Sequence, residues 1–122
     1  MKSILLLFIA IFAVGCHTTP SKKEKEAMAE QQLKREDNVR RLQYLASHPD
    51  LAPNVQRAIA TGDLVAGMSE SDVRASIGEP DQIITRMSDH GTDEQWDYQP
   101  GSPHHRKLLF DSGTLANWEG TH

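Results

Sequence analysis

The residues Gly67-Met68-Ser69-Glu70-Ser71-Asp72-Val73-Arg74-Ala75-Ser76-Ile77-Gly78-Glu79-Pro80 spell out a short helix with its start, buried face and stop. Ser69 is a good N-cap, Asp72 three residues on completes a capping box, and Met68 with Val73 fills the two positions of a hydrophobic staple. Gly78 suits the left-handed conformation that ends a helix, and Pro80 cannot continue one. Val73 and Ile77 then face whatever this helix packs on. A helix so short cannot close a core alone, so the flanking segments must supply the other layer.

Upstream, residues 21–46 lack Gly and Pro and are dominated by Lys, Glu, Ala, Gln, Leu and Arg, so the spacing and composition predict a long helix. Its first half offers few apolar residues and reads as solvated. In its second half Val39, Leu42, Leu45 and Ala46 fall three to four apart and form the stripe expected to dock, with Tyr44 off it. His48-Pro49-Asp50 breaks the helix. Asp50 is the expected cap of a second helix that tolerates Pro53 in its first turn, carries Leu51, Val55, Ala58 and Ile59 on one side, and ends at Gly62.

Downstream the period changes from helix to strand. Residues 83–87 are rich in branched side chains, residues 89–93 are a turn cluster, and Trp96 and Tyr98 alternate onto one face of a strand over residues 95–98. Residues 100–103 form a loop, residues 107–110 a third strand with Leu108 and Phe110 on a shared face, and residues 114–118 a fourth after the turn at residues 111–113. Helices followed by an antiparallel meander make an α+β, two-layer domain.

The N-terminus reads as an address. Met1-Lys2-Ser3 is a positive n-region and residues 4–13 are an unbroken apolar run of ten, shorter than the roughly 20 residues that span a bilayer as a helix. The run ends in Ala13-Val14-Gly15-Cys16, which resembles the bacterial lipobox. That resemblance implies diacylglycerol on the Cys16 sulfur and cleavage before it. It also implies sorting to the outer membrane, because the next residue, His17, is not Asp. The expected organisation is a lipoprotein signal peptide at residues 1–15, a flexible and charged helical tether at 16–35, and the α+β domain at 36–122. Burial of acyl chains contributes about 0.8 kcal/mol per CH2, so a multiply acylated Cys16 holds the chain on the membrane essentially permanently.

A set of residues in the domain carries a further resemblance: Ala58-Ile59 with Gly62, Gly67-Met68-Ser69 with Asp72-Val73, Gly78 and Pro80, then Trp96 with Tyr98, and Phe110 with Gly113 and Leu115. Over about sixty residues the chain resembles the SmpA/OmlA (BamE-like) lipoprotein domain family. The resemblance implies a β-lactamase inhibitor protein-like fold, helices on a small antiparallel sheet, and a role beside the machinery that inserts β-barrel proteins in the outer membrane.

Other chemistry finds little support in the residues. The charge is asymmetric: residues 21–47 hold seven Lys/Arg against five Asp/Glu, and residues 48–122 hold five against twelve. The acidic domain repels phosphate backbones, so nucleic acid is not an expected partner. Cys16 is the single cysteine and is taken by the anchor, leaving no disulfide and no cysteine zinc site. His104-His105 are adjacent and in extended chain point apart, and His17, His48, His90 and His122 fall in turns or termini, so no metal site is expected. Asp93, Glu94 and Asp97 bracket a strand around Trp96 with no neighbouring glycine-rich pocket or histidine partner in sequence, and Ser69, Ser71 and Ser76 read as cap or helix-surface residues outside any G-x-S-x-G elbow. The glycines are too far apart to cradle phosphate, so neither a cofactor nor a small-molecule substrate is expected.

Of the aromatics, Trp118 near the C-terminus is the one expected to be partly exposed and is the candidate partner contact. The chain therefore reads as a non-catalytic, lipid-anchored adaptor on the periplasmic face of the outer membrane, binding another envelope protein in barrel assembly or envelope integrity. A lipid-anchored inhibitor or sensor of an envelope hydrolase, and a structural spacer between membrane and cell wall, are the other readings. The anchor has a direct test: Cys16→Ala should move the protein from the membrane pellet to the soluble fraction, and retention in the pellet would refute it.

Overall fold

The structure, a computed structural model, describes residue 15 and residues 19–120. The signal-peptide reading and Cys16 therefore lie outside the described residues, as does His17. The elements run α1 (Lys22–Ser47), α2 (Pro53–Thr61), α3 (Glu70–Ile77), then β1 (Gln82–Ser88), β2 (Gly91–Tyr98), β3 (Arg106–Asp111) and β4 (Thr114–Gly120). The three helices pack on one face of a four-stranded antiparallel sheet of order β1-β2-β3-β4, so the fold is α+β with a simple meander.

α3 starts and ends where its residues dictate. Ser69 Oγ accepts from Asp72 N at 3.1 Å, and the Asp72 carboxylate accepts from Ser69 N at 3.0 Å. Met68 and Val73 are fully buried, as a staple requires. The stop differs in detail from the expected left-handed one. Gly78 has φ 90° and ψ -173°, an extended conformation with positive φ that is open essentially to glycine alone.

α2 begins differently from the expectation. Ala52 is its N-cap and Asp50 makes no cap; Pro53 at the first helical position has no N–H to satisfy. Gln56 instead ties down the approach, donating to the carbonyls of Pro49 at 3.1 Å and Leu51 at 2.8 Å. Gly62 ends α2 in the left-handed conformation, φ 74°. The strands are longer than their apolar runs because pairing extends into polar residues. A two-residue turn with positive φ at both Ser112 and Gly113 joins β3 to β4, and this hand of turn matches the sheet twist.

The core lies between the layers. From the helix side come Val55, Ala58, Ile59, Leu64, Met68 and Val73; the sheet contributes Trp96, Tyr98, Leu108, Phe110 and Leu115. The Trp96 and Phe110 rings lie 4.4 Å apart between centroids. Ser76, expected at the helix surface or as a cap, is fully buried; its hydroxyl donates to the Asp63 carbonyl at 2.7 Å and so joins α3 to the end of α2.

The long helix docks by a mostly polar face, and of the expected stripe only Leu45 packs on the core. Val39 and Leu42 are 52% and 66% exposed, and Ala46 is exposed as well. The face turned inward carries Asp37, Arg40, Arg41, Tyr44 and Leu45, spaced three to four apart. Arg40 Nε donates to the Ala75 carbonyl at 3.1 Å and Arg41 Nε to the Ser76 carbonyl at 2.8 Å, so two guanidinium groups satisfy carbonyls of the last turn of α3. The Tyr44 hydroxyl donates to Asp72 Oδ1 at 2.6 Å. Burial, with the Asp72 hydrogen bond and charge, pushes the Tyr44 pKa up to about 12 and keeps the hydroxyl a donor. These polar contacts hold α1 where the Val39/Leu42 stripe does not, because the last-turn carbonyls of α3 lack intrahelical donors and Arg40 and Arg41 supply them.

A comparison of two variants tests this docking. Tyr44→Phe should lose about 1.5–3 kcal/mol of unfolding free energy, the range for a hydrogen bond to a charged group. Val39→Ala should stay within about 0.5 kcal/mol of the parent, as surface changes do. Chemical denaturation measures both, and the reverse ranking would place the docked face on the apolar stripe.

Candidate functional site

Three side-chain groupings emerge from the sheet. The first is its solvent side. Successive strand residues alternate faces, so the face opposite the helices carries Ile84 and Arg86 of β1, Asp93, Gln95 and Asp97 of β2, and Lys107 and Leu109 of β3. Ile84, Leu109 and Ala116 floor a shallow depression there, with Arg86, Asp93 and Asp111 along one side. Arg86, Asp93 and Asp111 sit directly opposite one another across three strands. The arginine thus faces the first of two neighbouring carboxylates. A kink between Leu109 and Phe110, where the β3–β4 register shifts, brings Ala116 into the depression.

The second grouping is a buried carboxylate under a histidine. Asp97 is 5% exposed on the solvent side of the sheet, where a carboxylate survives burial only with partners. Its Oδ1 lies 2.8 Å from His105 Nε2, and its Oδ2 accepts from Gln95 Nε2 at 2.9 Å. Lys107 is its cross-strand partner. Burial pushes the Asp97 pKa up, but the hydrogen bonds from His105 and Gln95 and the charges of His105 and Lys107 outweigh it and hold it below the ordinary carboxylate value.

No histidine lies near Asp97 in sequence, yet the hairpin brings one to it. Tyr98 pairs with Arg106, so the seven intervening residues loop out and return His105 to the strand end. Its neighbour His104 stays exposed. The signal that could have found the pair was the strand register, since pairing Tyr98 with Arg106 fixes Asp97 opposite Lys107 and next to His105. The arrangement can orient an imidazole and hold a carboxylate ionised. Ser102, the hydroxyl within the same loop, is committed to the backbone of His104.

The third grouping lies at the rim of the helical layer. The Trp96 indole donates to Glu94 Oε2 at 2.8 Å, and the Arg74 guanidinium lies 4.4 Å over the Trp96 ring while Arg74 Nε bonds Glu79 at 2.9 Å. Glu70, at the first position of α3, meets Glu94 across the layers. The interaction between the two carboxyl groups pushes the Glu70 pKa up and holds that of Glu94 down.

Trp118 is half-buried on the helix-facing side, opposite Leu108, and packs on the core. Its indole is therefore a core element with one edge in solvent. Among the described residues, His48 stacks on Tyr44 at 4.0 Å, and no three acidic, histidine or cysteine side chains converge on a point that could hold a metal ion.

The Asp97–His105 contact has a pH signature with a defined sign. A carboxylate whose folded pKa is depressed adds stability that is present above its unfolded pKa and is lost as pH falls through the folded value. His105→Ala should therefore narrow the stability difference between neutral and acid pH, seen as a smaller fall in Tm between pH 7 and pH 3. An unchanged fall would mean that His105 does not support the buried carboxylate. Comparison of the chain with protein family models, with curated proteins and with solved structures finds no match.

Proposed function

We infer that the protein is a membrane-anchored, non-catalytic adaptor whose domain docks on another protein of the cell envelope. The observation that carries this reading is the uncovered sheet face with its apolar floor of Ile84, Leu109 and Ala116 beside a charged row. Leu109 is 39% exposed in the middle of that face, where a large apolar side chain gains by being covered. Arg86, Asp93 and Asp111 beside it supply the polar rim that gives such a contact register and specificity.

The address comes from the other end of the chain. The lipobox-like Ala13-Val14-Gly15-Cys16 supports a lipid anchor on Cys16, and His17 supports the periplasmic face of the outer membrane. The exposed first half of α1, residues 22–36, spans about 22 Å at roughly 1.5 Å per residue and gives the domain reach from that anchor. The SmpA/OmlA resemblance supports a place beside outer-membrane protein assembly. Trp118, half-buried against the core as a partly exposed aromatic, stays a candidate contact beside the sheet's solvent face.

Replacing Leu109 with Asp puts a charge in the centre of the uncovered face without entering the core. Affinity purification from envelopes solubilised in mild detergent should recover a stoichiometric partner with the parent chain and at least tenfold less with Leu109→Asp. Equal recovery would remove this face from the interface, and recovery of no partner by the parent chain would refute the adaptor reading.

A further inference from the structure

The first strand is an open sheet edge whose free backbone groups and side chains match a second copy of themselves. Among the described residues β1 pairs only with β2, and the alternation of its hydrogen bonds can be fixed from two neighbouring contacts. Thr92 O accepts from Ser112 N at 3.0 Å, so Thr92 turns its backbone toward β3, and Gly91, Asp93, Gln95 and Asp97 turn theirs toward β1. Asp97 O accepts from Asp81 N at 2.9 Å, on the β1 side as this requires. Their partners Ser88, Arg86, Ile84 and Gln82 are consequently engaged with β2, and the N–H and C=O groups of Ile83, Thr85 and Met87 point to the free edge.

The side chains of those three residues share the helix-facing side, but the helical layer does not reach them: Ile83 is 43% exposed, Met87 is 91% exposed, and Thr85 is exposed as well. Natural edge strands are commonly blunted by Lys, Pro or a bulge. The stretch Gln82-Ile83-Ile84-Thr85-Arg86-Met87-Ser88 has no Lys or Pro, and its pairing with β2 runs without a bulge. The opposite edge of the sheet is occupied where β4 begins, since Gly67 N donates to Leu115 O at 2.9 Å and Leu115 N to Met68 O at 2.8 Å. An edge-to-edge chain of β1 on β4 is obstructed there, whereas β1 on β1 is closed by a two-fold axis.

We propose that the chain forms a two-fold dimer by antiparallel pairing of β1 with β1 of a second copy, centred on Thr85, to give one continuous eight-stranded sheet. In that register Thr85 faces Thr85, Ile83 faces Met87 and Ile84 faces Arg86, each of the last two pairs occurring twice. All the free groups of Ile83, Thr85 and Met87 are used, in six hydrogen bonds across the axis. The two exposed apolar residues cover each other on the helix-facing side. On the other side each Arg86 keeps Asp93 of its own strand pair directly across, which offsets the approach of the two guanidinium groups. A register shifted by one residue would turn the free groups away from each other, and one shifted by two would pair only two of the three edge-facing residues of each copy, so the match is fullest at this centre.

Cross-linking of the full chain in detergent tests the register, in a Cys16→Ser background so that no other thiol is present. Hydrogen-bonded strand partners have Cα atoms about 5.5 Å apart, within disulfide range. Ser88 residues of the two copies would be about 20 Å apart at roughly 3.4 Å per residue. Mild oxidation should convert Thr85→Cys to a covalent dimer and leave Ser88→Cys monomeric. Adding Ile83→Lys and Met87→Lys, both on exposed positions, should abolish that cross-link. In sedimentation equilibrium, the same two lysines without the cysteine should weaken self-association at least tenfold with an unchanged circular dichroism spectrum. A Thr85→Cys chain that does not cross-link, equal cross-linking at residues 85 and 88, or association indifferent to the two lysines would each overturn the proposal.

Discussion

The guanidinium of Arg41 sits where three helices meet. It donates to the Ser76 carbonyl in the last turn of α3 and lies against Gly62, the C-cap of α2, so closely that a β-carbon there would collide with it. The left-handed φ of Gly62 would disfavour any other residue on its own account, and the arginine adds a steric reason. A cation at two helix C-termini is also favoured by the partial negative charge those ends carry. Arg40 does the same for Ala75 one residue earlier, with Asp37 holding its other arm at 2.6 Å. α1 has no buried residue of its own, so these contacts, with Tyr44 and Leu45, join it to the domain.

α3 is held from both ends by the same partner. At its start the capping carboxylate of Asp72 receives Tyr44, and at its end the open carbonyls receive Arg40 and Arg41. Because α3 is so short, fixing both ends fixes its whole path, and with it the places of Met68 and Val73 in the core that Trp96 and Phe110 share. Tyr98 closes the join from the sheet side, its hydroxyl donating to the Gly78 carbonyl at 2.8 Å. Fold and surface are linked through this layer: with the helices held on one face, the other face and the β1 edge are left uncovered by the described residues.

Legibility in the sequence followed the range of the interaction. The capping box of α3, its staple, the end of α2 at Gly62 and the alternation of Trp96, Tyr98, Leu108 and Phe110 are local patterns, and each was readable. The docked face of α1 was legible only at Leu45, because apolar periodicity marks Val39 and Leu42 while the helix is held by polar side chains whose acceptors lie about thirty residues away. Asp97 and His105 were visible as residue types but not as a pair, because only the hairpin register brings the loop back to the carboxylate. Ser76 is the same case: a serine in a short helix looks solvated until the Asp63 carbonyl is placed beside it.

The chain's residues by themselves determined the order of elements, the α+β class and the start and stop of the central helix, because caps, staples and strand alternation act between residues a few positions apart. Tertiary structure alone decided which side of α1 faces inward, which carboxylate is buried under a histidine, and which sheet edge stays open. Those outcomes depend on the orphan carbonyls of one element meeting the donors of another, and no local pattern encodes where such groups come together.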